Sequence, residues 1–172
     1  MINLPSRARD RNTRSLRLRL DAFLPYRLSM LTTKVQAHLA RHYRQVLGLT
    51  LHETRIVAVL GNHRPVSSNA IVQHTTMDKA TVSRAVARLL RRGLLTRRPD
   101  PDDRRLLVLD LTTKGAGVYR DLAVLAHQWE AWLTEAMPRT ARARLVRDLA
   151  LLSQRLDTAP QPDFSAASRR GR

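Results

Sequence analysis

Apolar residues recur at helical spacing through most of the chain, and the breaks between the runs divide it into six predicted helices and one hairpin. In "FLPYRLSMLTTKVQAHLARHYRQVLG", Leu24, Leu28, Leu31, Val35 and Leu39 form one stripe, with Gly48 as a C-terminal stop. A second helix follows Thr50, burying Ile56, Val59 and Leu60 before Gly61-Asn62 breaks it. A third runs from a cap at Ser67 or Ser68 through Ala70, Ile71 and His74. In the fourth, Val82, Val86, Leu89 and Leu90 fall at i, i+4, i+7 and i+8 and Gly93 closes the element, while Arg84, Arg88 and Arg91 repeat on the other face. "LLTRR" and "RRLLVLDL", joined by Pro-Asp-Asp turn chemistry, predict a two-stranded hairpin. A fifth helix is capped by Thr112 or Thr113. A sixth has Pro138 in its first turn and a stripe of Leu145, Leu149, Leu152 and Leu156. No internal repeat interrupts this order.

Composition narrows the partner. The 172 residues suit one domain with extensions, and 31 basic against 14 acidic residues give a net charge of +17. All but Lys34, Lys79 and Lys114 of the basic residues are arginine. Such a surplus calls for a polyanion, nucleic acid before membrane. The chain has no cysteine, which excludes disulfides, thiolate zinc sites, cysteine nucleophiles and thiol redox sensing in the protein itself. No apolar stretch approaches the roughly 20 residues of a membrane span, so a soluble protein is expected. The arginine-rich start lacks the apolar region of a secretory signal. Residues 1-19 are expected to be a basic, mobile arm and 158-172 a disordered tail, leaving a folded region of 20-157.

Two short helices, a helix with a basic outer face and a basic hairpin make the layout of a winged helix-turn-helix, here about 50-111. Its third helix enters the major groove, and its hairpin reaches an adjacent minor groove or the backbone. The fold class is therefore mainly α with a small β-hairpin wing, with further helices at about 20-48 and 112-157. Lys79, Ala80, Thr81 and Arg84 lie in the first turns of the reading helix, where small residues permit close approach to base edges and Arg can donate a bidentate pair to guanine; Ser83, Thr75 and Thr76 suit phosphates. Arg88 and Arg91 should rise toward the backbone. Ser67 and Ser68 at the start of the third helix complete the DNA-facing set. The wing supplies Arg97, Arg98, Arg104 and Arg105, with Arg104 assigned to the minor groove.

"DKATVSRAVARLLRRGLLTRRPDPDDRRLLVLDLTTKG", Asp78 to Gly115, resembles the recognition helix, wing and "LT..G" signature of the MarR family of bacterial transcriptional regulators. "FLPYRL" at 23 to 28 and "LGLTLHETRIVAVL" at 47 to 60 are similar to the family's first two helices. The resemblance implies a cytoplasmic, nucleoid-associated homodimer, with a helical dimerisation region at about 20-48 and 112-157, on a pseudo-palindromic operator in double-stranded DNA, most simply a repressor released by a small aromatic or phenolic effector. It implies that Asp102 orients Arg104 at the wing tip. It also implies an effector cleft between the first, second and fifth helices, where Lys34, His38 and Arg55 offer cationic contacts. Arg55 stands where the family often has an aromatic ring, and the absence of cysteine sets the peroxide-sensing branch aside.

Other readings of the same residues are weaker. Asp100, Asp102 and Asp103 could hold a cation or act as acid and base, but no Gly-spaced loop with a terminal Glu comes after them and four arginines crowd them. No catalytic or metal site and no cofactor is therefore expected. His38 and His42 have a chelating i, i+4 spacing without an H-E-x-x-H or similar motif. Trp129 and Trp132 read as dimer or core packing, and the Leu145 to Leu156 stripe as ordinary core more than exposed zipper. The competing function is a sequence-tolerant nucleoid-like or RNA-associated protein driven by charge.

Overall fold

The computed structural model of the protein describes residues 18–63, 65–75, 77–100, 104 and 107–160. Among them are six helices and three short strands: α1 (Leu24–Leu47), α2 (Leu51–Asn62), β1 (Val66–Ser67), α3 (Ser68–His74), α4 (Lys79–Arg91), β2 (Leu95–Pro99), β3 (Leu107–Leu111), α5 (Thr113–Leu133) and α6 (Arg139–Thr158). The mainly helical architecture with a hairpin wing is as the periodicity predicts. By their internal contacts the residues form two compact units that divide between Val124 and Leu125.

The helix ends arise from local chemistry. Gly48 takes the left-handed conformation (φ 61°) and its N–H returns to Arg44 O, ending α1; Gly93 (φ 66°) does the same after α4, with Leu94 N–H on Leu89 O. Thr50 and Glu53 form a reciprocal capping box at the start of α2, Ser67 Oγ accepts from Ala70 N–H, and Thr112 Oγ1 accepts from Gly115 N–H. Pro138 sits at the N-cap of α6, one residue before the first turn predicted for it.

In the first unit the core is built where α2, α3 and α4 meet the sheet. Ile56, Val57 and Leu60 of α2, Ile71 of α3, Val82, Ala85, Val86 and Leu89 of α4, and Leu94, Leu95, Val108 and Leu109 of the hairpin are buried. The sheet order is β1-β3-β2, all antiparallel, with Arg97 opposite Leu109 and Ser67 opposite Val108. The strand β1 has no counterpart in the sequence pattern, because two residues carry no periodicity.

Three expectations are corrected here. Gly61-Asn62 does not break α2, which continues through Asn62. Gly61 is instead a point of close approach, because a Cβ there would collide with the ring of Tyr119 on α5. Val59 is half exposed and Val57 is buried in its place, since α2 faces neighbours on more than one side. Leu90 is likewise only half-buried, with Ala85 taking the core position on α4.

The stripe of α1 is largely uncovered: Leu24 and Leu31 are exposed, Leu28, Val35 and Leu39 half-buried, and Tyr43 alone on that helix is buried. In the second unit, Arg142 of α6 pairs with Glu130 of α5 at 2.8 Å, and the rings of Trp129 and Trp132 lie 6.1 Å apart with Trp132 exposed. Leu145, Leu149, Leu152 and Leu156 are all exposed, Leu156 at 85%, so within one chain this stripe is not core.

Candidate nucleic-acid interface

Helix α4, the predicted DNA-reading helix, presents two different faces because its apolar residues are turned to the core. Lys79, Ala80, Ser83 and Arg84 are exposed and Thr81 half-exposed along its first turns. Asp78 is the N-cap. One of its carboxylate oxygens accepts the Thr81 N–H at 2.8 Å, the other accepts the Thr81 hydroxyl at 2.8 Å, and the Thr81 oxygen in turn accepts Arg84 Nη2 at 3.1 Å. The Thr81 N–H, then its hydroxyl, hold the Asp78 carboxyl below the usual carboxylate range. The result is a relay on the surface that fixes Arg84 near the helix start. Asp78 is not among the sequence candidates, although an aspartate immediately before a helix is an ordinary cap signal.

Ser68, Lys79, Ser83 and Arg97 line one groove, with Asn69, Val72, Val82 and Val86 as its remaining wall. Residues from α3, α4 and the wing are thereby brought together, as the winged layout requires. Arg97 belongs to the face of β2 that carries Leu95, opposite Leu109, so it leans toward α4. Arg98 alternates to the other face, where its Nη2 lies 3.9 Å from the Asp110 carboxylate. Arg104 is an exposed turn residue between β2 and β3. Asp102, Arg105 and Thr76 lie outside the described residues.

Several candidates have internal work. Ser67 caps α3. Thr75 donates its hydroxyl to Ile71 O at 2.8 Å and accepts from Met77 N–H, so it ends α3 and, in this geometry, has no proton left for a phosphate. Arg88, expected on the DNA backbone, donates from Nε to Glu53 Oε1 at 2.8 Å; the Glu53 side chain is only 4% exposed. Burial alone would raise the Glu53 carboxyl. The Thr50 N–H, the Arg88 guanidinium and the Thr50 hydroxyl outweigh it and hold that carboxyl below its ordinary value. Thr50 and Glu53 are readable as a T-x-x-E box, but no spacing rule connects either to Arg88.

The expected effector residues do not converge. Arg55 lines an open concavity with Ala58, Val59, His74 and Thr75, between α2 and the end of α3, whereas Lys34 and His38 lie on the exposed surface of α1 and are not part of its lining. His63 and His74 stack with centroids 4.6 Å apart. Among the described residues no three His, Asp or Glu side chains group as a metal site, and no helix is long and apolar enough to cross a membrane.

Residues 47–106 match the model of the MarR family. The HTH-type transcriptional repressor NicR of Pseudomonas putida is 32% identical over 101 residues, which are 58% of this chain and 64% of that relative, so the chain spans under two thirds of its length. A crystal structure of a MarR/EmrR family transcriptional regulator from Acinetobacter sp. ADP1 is 26% identical, with a TM-score of 0.75 over 81% of this chain and 99% of that one. The S. aureus MepR-DNA complex shares the fold at 18% identity, with a TM-score of 0.70 over 79% of this chain and 98% of that one.

Proposed function

We propose that the chain is a member of the MarR family, supported by the match of residues 47–106 and the likeness to the regulators above, and that it is a sequence-specific regulator of transcription that binds double-stranded DNA and represses until a small molecule releases it. The observation that carries this reading is the capped, exposed start of α4, with Lys79, Ser83 and Arg84 beside Arg97 of the wing. Ala80 leaves room for close approach to base edges, Arg84 is oriented by the Asp78–Thr81 relay, and Ser68 and Ser83 suit phosphates. Arg98 and Arg104, with Asp102 and Arg105 of the wing tip, supply the adjacent contact, Arg104 in the minor groove.

The working form is a homodimer on a pseudo-palindrome, with recognition helices about one DNA turn, roughly 34 Å, apart. Uncovered apolar side chains on α1 and, separately, on α6 support this, because a monomer in water seldom leaves such faces bare. The proposed site of action is the bacterial cytoplasm, on the nucleoid. An effector of the aromatic carboxylate or phenol class acts by binding one spacing of the two DNA-reading lobes better than the other. Arg55 and His74 on the same concavity are its contacts, in preference to Lys34 and His38.

Selection of bound duplexes from a random pool, followed by salt titration on the selected site and on random DNA, tests the reading. Specific regulators favour their site by roughly 10³-fold or more. Equal affinities at physiological salt would leave the sequence-tolerant, charge-driven alternative standing instead.

A further inference from the structure

Two arginines one turn apart, Arg88 on the second half of α4 and Arg92 at its C-cap, point away from the DNA-reading end and toward the junction of α1 with α2. Arg88 Nε donates to Glu53 Oε1 at 2.8 Å, and Arg92 Nη1 donates to Gly48 O at 2.9 Å. Both acceptors flank the same short turn. Gly48 is the left-handed residue that ends α1, and Glu53 is the third residue of α2, whose other oxygen accepts the Thr50 N–H at 2.8 Å and the Thr50 hydroxyl at 2.9 Å. Each Glu53 oxygen therefore has its own task, one holding the start of α2 and the other holding α4. From the far side, Lys114 Nζ reaches Arg92 O at 3.3 Å, so α5 is tied to the same end of the helix.

We propose that Arg88 and Arg92 are positioning residues rather than DNA contacts, forming a two-point clamp through which the α1–α2 junction sets the rotation of the recognition helix and so its sequence specificity. The clamp rests on the DNA-binding reading above. Its logic is geometric. Side chains at i and i+4 share one helix face, so fixing both to one turn removes rotation of α4 about its own axis. Rotation is the motion that would carry Lys79, Ala80, Ser83 and Arg84 off their base edges. Glu53 is buried, so when Arg88 is removed its charge is left without its guanidinium, and the junction rearranges. The clamp also gives α1 a hydrogen-bonded route to the DNA-reading helix: a displacement of Gly48 is felt at Arg92.

Charge and position make opposite predictions for Glu53→Gln. Removing an acid from a protein that binds a polyanion should tighten binding by electrostatics alone. The clamp predicts that Glu53→Gln weakens binding to the selected site by about tenfold or more while random-DNA affinity is kept. Arg88→Gln should do the same, with the slope of log K against log salt unchanged, whereas a lost phosphate contact lowers that slope by about 0.9. The double variant should be no worse than the weaker-binding single one, because both remove one interaction.

Melting curves accompany each variant. If Glu53→Gln does not fold, Arg88→Lys decides: it keeps the charge but not the Nε donor, so the clamp predicts lost specificity at constant slope and a phosphate contact predicts near wild-type binding. Tighter operator binding by Glu53→Gln, or a slope reduced by about one in Arg88→Gln, overturns the clamp. A wild-type protein that does not distinguish its selected site from random DNA overturns the regulator reading instead.

Discussion

Two glycines two residues apart on α5 should respond to the same substitution with opposite signs. A Cβ on Gly115 would collide with the backbone carbonyl oxygen of Leu94 and stand 3.3 Å from Leu111 Cδ2. That carbonyl is not free to move, since it accepts the Thr112 N–H at 3.1 Å and lies 3.3 Å from the Thr112 hydroxyl that caps α5. At Gly117 the nearest atom to a Cβ is the flexible end of Arg120, at 3.8 Å. Alanine at either position gains up to about 1 kcal/mol of helix propensity. At Gly115 this is set against about 1–3 kcal/mol of overpacking and about 1 kcal/mol each for a weakened cap and a displaced hydrogen bond. Gly115→Ala should thus destabilise by about 2–4 kcal/mol and Gly117→Ala stabilise by about 0.5–1 kcal/mol. Urea unfolding tracked by circular dichroism, at one protein concentration, measures both. The displaced atoms are the root of the wing, so Gly115→Ala should also lose operator affinity in folded protein. If both alanines shift the midpoint in the same direction, the close approach of α5 to the wing root is not what Gly115 serves.

Asp78→Ala should lower stability as a lost N-cap. It should also weaken operator binding despite the lost negative charge, and electrophoretic titration showing tighter binding would sink the Arg84 relay. Arg104→Ala should reduce operator affinity with an unchanged melting temperature, and Asp102→Ala should do the same by misplacing an arginine that is still present; a tighter Asp102→Ala complex would remove the support role. The Glu53 carboxyl titrates below its unfolded value of about 4.3, so the stability it contributes is fully present above that pH and is lost as pH falls through the lower folded value. The melting-temperature gap between wild type and Glu53→Gln should therefore be constant near neutrality and close in acid; a gap that persists undiminished at pH 3 would contradict the assignment.

The order of the elements is legible because each boundary has local chemistry. Gly48 and Gly93 adopt the positive φ that their place after an apolar run suggests, and Thr50, Ser67 and Thr112 cap the helices that begin beside them. The errors lie where a distant residue outweighs a local preference. Gly61 reads as a breaker costing about 1 kcal/mol in a helix, yet Tyr119, far along the chain, needs the space. Arg88 reads as one of a basic row rising toward the DNA backbone, and its partner 35 residues away has no signature at that separation. The stripes of α1 and α6 are correctly identified as apolar, but periodicity identifies a face without saying what covers it. For the candidate interface, residue type alone points to the first turns of α4 and to the wing. The Glu53 clamp escapes it, because side-chain hydrogen bonds across helices leave no periodic trace, whereas the Asp78 relay is local to the start of α4 and announced by an ordinary cap signal.

The division of labour along α4 has an evolutionary consequence. Its proposed reading positions, Lys79, Ala80, Ser83 and Arg84, are exposed, whereas Val82, Val86 and Leu89 are buried in the core and Arg88 and the C-cap Arg92 bond Glu53 and Gly48. On the proposed function, mutations in the first set would change which operator is chosen without disturbing the fold, so a duplicated copy of this gene would drift to new promoters while keeping the same scaffold. Retargeting by design would take the same path, diversifying those four positions and leaving the rest of the helix alone.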